Sequence, residues 1–200
     1  MLPEWSVLIG SVFNLIGSSS YARDTFLGKT SPNRVTWFMW ALAPLIAFAA
    51  QISKGVGLSS MMTFMVGFGP LTIFIASFFN KKSVWKISKF DIICGSLSLV
   101  GLIMWLMIRE GNVAILFALL ADFLAGVPTI IKSFRNPETE SSLVFLFGAI
   151  SAAITLLVLK SWSFEYVAFP LYIFVFCAVL FPVIKFRLGK RIGKLGWRLS

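Results

Sequence analysis

The stretch DFLAGVPTIIKSFRNPETES, Asp122 to Ser141, decides how this chain is read. An acid stands inside an apolar run. A proline follows six residues later, then a short basic loop, then a new apolar run. An ionised carboxylate near the middle of a bilayer costs about 2.5–3.5 kcal/mol even on lenient insertion scales. Such a group faces a helix-bundle interior or a water-filled path. Asp122 therefore marks a solute or ion route, or makes a structural hydrogen bond between helices.

The rest of the chain supplies the bilayer. It has 200 residues, 58% of them hydrophobic and 16% aromatic, and only 13% charged. A soluble domain carries about 25% charged residues. Glycine and proline are spread through the apolar runs, as membrane helices permit. The net charge of +10 could point to nucleic acid. The basic residues instead sit in loops between apolar runs, where orientation in a bilayer puts them, so no nucleic-acid partner is expected. Cys94 and Cys177 each lie inside an apolar run and read as small buried hydrophobes. The chain has no histidine. That removes the commonest zinc ligand and general base, and no cofactor, metal site or enzyme activity is expected.

About 20 apolar residues cross a bilayer. The hydropathy pattern predicts seven spans, at about 5–23, 35–53, 59–79, 91–108, 113–133, 142–160 and 165–185. The first resembles a signal peptide, but Glu4 and the lack of a basic residue before it argue for a retained helix. Of the 18 Lys and Arg, only Lys54, Arg109 and Lys160 fall on the side opposite the C-terminus. The positive-inside rule then puts the N-terminus outside and the C-terminus in the cytoplasm, in a multi-pass cell-membrane protein.

Two copies of one unit can be overlaid. Gly17 then meets Gly126, Arg23 meets Lys132, Thr30 meets Thr139 and Phe38 meets Phe147. Both copies run from an apolar helix through a basic junction and polar loop into another apolar helix. Pro70 in span 3 and Pro182 in span 7 extend the match. An odd span separates the copies, so they are parallel repeats. The expected fold is all-α and integral to the membrane. It has a three-helix repeat over residues 1–80, a linker helix over 81–110 and a second repeat over 111–200 with a basic cytoplasmic tail.

Three helices, a linker helix and three helices is a plan that resembles the PQ-loop and SWEET (MtN3) superfamily, with the PnuC vitamin transporters as a related possibility. The residues that carry the resemblance are Val127-Pro128-Thr129 with Arg135-Asn136-Pro137-Glu138-Thr139-Glu140-Ser141. In the first copy they are Gly28-Lys29-Thr30-Ser31-Pro32-Asn33-Arg34. Thr129 stands where the family has glutamine, and Ser19 where the first proline would fall. No asparagine occurs in 59–79 or 165–185, where SWEETs hold sugar. The resemblance implies a small-solute transporter or facilitator working by alternating access, with a sugar or vitamin as cargo and Pro128 as a hinge. A non-transporting receptor or sorting protein on the same plan is the alternative.

The residues expected to touch cargo are Asp122, Asn14, Ser18 and Trp40. Asn14 lies at the depth of Asp122 in the repeat-related span, and Ser18 lies four residues on, hence on the same face. Trp40 offers a stacking wall or gate. Trp37, nearer the end of the span, reads as part of an interfacial aromatic belt. Pro44, Pro70 and Pro182 permit bends. Glu138 and Glu140 pair with nearby Lys and Arg, Gln51 and Lys160 sit at the outer interface, and the tail Lys185–Arg198 lies along anionic lipid. A retinal protein would need a lysine midway along the last helix, and Lys185 is at its end. The partners are a small molecule and the lipid bilayer. Seven spans could form a pathway alone, and a homo-oligomer is left open.

Overall fold

The structure, a computed structural model, describes residues 3, 5–53, 60–108, 111–159 and 161–196. Glu4, Lys54, Arg109, Glu110, Lys160, Trp197 and Arg198 lie outside the described residues, as do the side chains of Gln51 and Glu165.

Every extended apolar run is a helix. They are α1 (Ser6–Phe26), α2 (Arg34–Ser53), α3 (Ser60–Ala76), α4 (Lys89–Met107), α5 (Gly111–Arg135), α6 (Ser142–Val158), α7 (Phe164–Lys185) and α8 (Leu188–Gly196). Short 3-10 turns cover Lys81–Ser83 and Pro137–Thr139, and no strand occurs among the described residues. Windows of α4, α5 and α7 are long and apolar enough to cross a membrane. The apolar parts of α2, α3 and α6 are shorter. Seventeen residues of α3 or α6 rise roughly 25 Å, somewhat less than the ~30 Å hydrocarbon layer.

Helix ends follow local chemistry. Ser88 caps α4: its Oγ accepts from Asp91 N at 3.2 Å, and Asp91 Oδ2 accepts from Ser88 N at 2.6 Å. This reciprocal capping box fixes the start of α4 at Lys89. Asn33 Oδ1 accepts from the amides of Val35 and Thr36 at the start of α2. The Asn33 side chain also donates to Asp91 Oδ1 at 3.0 Å, which ties the two helix starts together. Gly28, just after α1, has φ +71, a left-handed value that favours glycine. The expected tail contains α8, which joins α7 through Arg187 at φ 52. α8 packs on α5, where a Cβ at Gly189 would strike the Phe134 carbonyl.

The helices close into a ring. α1 packs on α3, α3 on α2, α2 on α5, α5 on α7, α7 on α6, and α6 back on α1. α4 lies outside, against α5 and α2. Small hydroxyl side chains are buried between the helices, beside a core that includes Tyr21, Trp37, Trp40, Ile73, Phe145 and Leu180, while the outer faces are apolar and exposed. Ser11, Ser18, Thr25, Thr36, Ser98, Thr129 and Ser133 are buried. Ile92, Ile93, Val100 and Ile103 of α4, and Leu8, Ile9, Val12 and Ile16 of α1, are exposed. So extensive an apolar surface suits lipid and would be unfavourable in water.

Candidate functional site

One end of the bundle gathers the basic residues. Arg34 bonds Ser77 Oγ and the Ser77 carbonyl at 3.0 and 2.7 Å. Asn80 donates to the Phe26 carbonyl at 2.6 Å, and Lys190 meets Glu138 at 2.6 Å. These contacts bring the ends of α1 and α3 to the start of α2, and the turn after α5 to α8.

Away from that end, the ring encloses a cavity of about 400 Å³. All of α1 to α7 contribute to its wall. Asn14 comes from α1, Pro44 from α2, Met62 and Thr63 from α3, Trp105 from α4, Asp122 from α5, Ser151 and Thr155 from α6, and Phe169 and Pro170 from α7. Asp122 and Asn14, picked out by sequence, line the same space. Asp122 Oδ2 accepts a hydrogen bond from the Tyr172 hydroxyl at 2.8 Å. Its Oδ1 has no hydrogen-bond partner among the described residues. Ser18 is on the α1 face toward α3: its Oγ lies where a Cβ at Gly69 would be, and it donates to Asn14 Oδ1 at 3.5 Å. Ser18 thus packs the two helices together and does not line the cavity.

Trp40 sits beneath the cavity. Its Nε1 donates to the Asp122 backbone carbonyl at 3.1 Å, and its ring meets Phe176 edge-on at 5.6 Å. Edge-on packing continues to Trp37 at 5.2 Å, and Trp37 meets Tyr21 at 4.9 Å. Trp37 is 2% exposed. The belt expected from sequence is therefore corrected: Trp37 faces inward because this turn of α2 packs on α1 and α5 side chains, not lipid. Together these rings fill the bundle between the cavity and its basic end.

Below the rings lies a polar cluster. Tyr21, 0% exposed, donates its hydroxyl to Glu140 Oε2 at 2.5 Å. Lys132, 2% exposed, pairs with Glu140 Oε1 at 2.7 Å, and its Nζ also donates to the Ser31 carbonyl. Ser31 N donates to the Thr139 carbonyl at 2.9 Å, so the loops after α1 and α5 touch directly. The expected pairing of Glu138 and Glu140 with basic residues is present, to Lys190 and Lys132.

Pro128 is buried in α5 and borders a second cavity of about 460 Å³, between the start of α4 and the end of α5. A proline at 128 withholds the amide that would bond the Leu124 carbonyl. Neighbouring carbonyls of α5 accept bonds from other helices. Ser98 donates to Ala121 and Thr36 to Ala125, each at 2.7 Å. Sequence reading missed Tyr172, Trp105 and the Tyr21–Glu140 bond. A tyrosine within an apolar run does not announce which carboxylate it will face.

Comparison with known protein families, with characterised proteins and with solved structures finds no match.

Proposed function

We propose that this chain is a small-solute membrane transporter working by alternating access, of the three-plus-one-plus-three plan that resembles the PQ-loop and SWEET transporters. The observation that carries the reading is the cavity. A space of about 400 Å³ reaches from the level of Asp122 to positions within a turn of the helix ends away from the basic side. It is blocked on the basic side by Trp40, Trp37 and Tyr21 and by the Lys132–Glu140 pair. A site accessible from one side and closed on the other is what one state of such a transporter requires. With the basic end in the cytoplasm, this is the outward-facing state.

The two-repeat reading has support from the helix neighbours. Exchanging α1 with α5, α2 with α6 and α3 with α7 leaves the ring unchanged. α3 lies between α1 and α2, and α7 between α5 and α6. Each matched glycine touches a helix of the other copy: Gly17 faces Phe147 and Val144 of α6, and Gly126 faces Trp40 of α2 as well as Phe176 of α7. The contacts α1·α6 and α2·α5 then become the two seams between rocking bundles, with α4 as the linker. Pro128 is the proposed hinge, beside the second cavity.

The test is uptake into vesicles reconstituted with the full chain, screened with labelled sugars, vitamins, nucleosides, amino acids and amines. Transport through this site predicts saturable uptake that Asp122→Asn reduces at least tenfold, on the order of the ~1.4 kcal/mol that one decade represents. If Asp122 couples a proton, the variant keeps exchange and loses uphill uptake. Uptake unaltered by Asp122→Asn would remove Asp122 from the mechanism.

A further inference from the structure

We propose that the cavity selects an organic monocation, a small amine whose ammonium docks on Asp122 and whose apolar or aromatic body lies against the cavity wall. This rests on reading the cavity as the solute site.

Charge comes first. Asp122 is the one ionisable side chain in the described wall. An anionic solute would meet a carboxylate with no compensating base, in surroundings that screen poorly. A cation supplies the counter-charge that a carboxylate in an apolar wall lacks. One carboxylate matches one positive charge. No cluster of three metal-ligating residues occurs among the described residues, so a bare metal ion lacks its oxygen shell.

Hydrogen bonding points the same way. Tyr172 spends its proton on Asp122 Oδ2, which holds the carboxylate in place and leaves Oδ1 without a partner among the described residues. Thr155 Oγ1 donates to the Ser151 carbonyl at 3.0 Å, and Ser151 Oγ is oriented to Met62 Sδ at 3.6 Å. These wall groups have committed their protons and offer lone pairs. An ammonium, with three donors and no acceptor, fits that inventory. A polyol, which must also accept bonds, finds little beyond the Asn14 amide and the Thr63 hydroxyl. The remaining wall is apolar, and Trp105 and Phe169 present rings that can pack on hydrocarbon or face a cation. The volume suits a molecule of one or two rings.

The test is binding to the purified full-length protein, followed by calorimetry, with two sets of probes matched in shape. Tryptamine, tryptophol and indole-3-acetate share a ring and differ in the head group; hexylamine, hexanol and hexanoate do the same on a chain. The amine of at least one set should bind about tenfold or more tighter than its alcohol, with no measurable binding of its acid. Asp122→Asn should erase the preference for the amine over the alcohol, and Asp122→Glu should keep it. The inference is overturned if in neither set the amine binds tighter than its alcohol and its acid, or if none of the six binds. It is equally overturned if a folded Asp122→Asn protein, judged by its unfolding midpoint, retains the preference. If that variant does not fold, the wild-type comparison alone decides. Amine binding without flux in vesicles would sink the transport reading and leave this inference standing. Flux of neutral solutes without amine binding would do the reverse.

Discussion

The amide of Ser31 donates a hydrogen bond to the carbonyl of Thr139 at 2.9 Å. Thr139 is the residue that the internal overlay matches to Thr30, beside Ser31. The two loops that the overlay pairs therefore meet in space, and Lys132 reinforces the contact by donating to the Ser31 carbonyl. An alternating-access cycle would have to part these loops. In the proposed transport cycle the Lys132–Glu140–Tyr21 cluster would be the latch of the closed side.

Breaking the latch should be costly to the state described. Glu140→Gln leaves the Lys132 ammonium buried without its counter-charge. A loss of about 3–5 kcal/mol is expected, as for other buried pairs deprived of one partner. Tyr21→Phe removes one hydrogen bond to a charged group and should cost about 1.5–3 kcal/mol. Thermal unfolding in detergent checks both. A Glu140→Gln protein as stable as the parent would mean that Glu140 is not buried against Lys132.

The glycine seams offer a second prediction. A Cβ at Gly126 would stand 2.8 Å from Phe176 Cζ and 3.0 Å from Trp40 Cζ2. One at Gly17 would stand 3.1 Å from both Val144 Cα and Phe147 Cβ. Gly126→Leu and Gly17→Leu should each destabilise by about 1–3 kcal/mol through overpacking and should each lower uptake. A variant that is fully stable and active would show that helices do not approach closely there.

Much of this was legible beforehand, and the reason is hydropathy. The span ends expected for α2 and α7 lie within a residue of those found, because charged or polar residues flank the apolar runs. α1 runs on to Phe26, past the expected end at 23, since Arg23 and Asp24 at a helix end do not break it. α3 stops at Ala76, before its expected end at 79, and turns follow. Asp122 and Asn14 stood out because polar groups in apolar runs are conspicuous. Trp37, Tyr172 and the Asn33–Asp91 bond did not. When every face of a helix is apolar, its rotation about its own axis leaves no trace in composition. Only packing decides that Trp37 turns inward or that Tyr172 faces Asp122.

Helix α8 should respond to acid. The Lys190 ammonium, bonded to Glu138 at 2.6 Å, holds that carboxyl below the usual glutamate range. A depressed folded value means that the contact contributes fully above the ordinary pKa of about 4.3. The contribution is lost as pH falls below that and through the depressed value. Protection of the amides over 188–196, taken relative to their intrinsic exchange rate at each pH, should therefore fall below about pH 4 in the parent. In Glu138→Gln that protection should already be reduced at neutral pH. Equal exchange in the two proteins across that range would show that the pair does not hold α8 down.

Alternating access requires a cavity that is accessible from one side at a time, and side-specific thiol labelling measures that directly. In a Cys94→Ala, Cys177→Ala background, Thr155→Cys puts one thiol in the cavity wall. A membrane-impermeant maleimide applied to oriented vesicles should label it from the face opposite the basic end, and hardly at all from the basic face. Adding Tyr21→Phe, which weakens the latch, should open labelling from the basic face. A thiol unreactive from the first face, or labelling from the basic face that the latch variant leaves unchanged, would contradict the account.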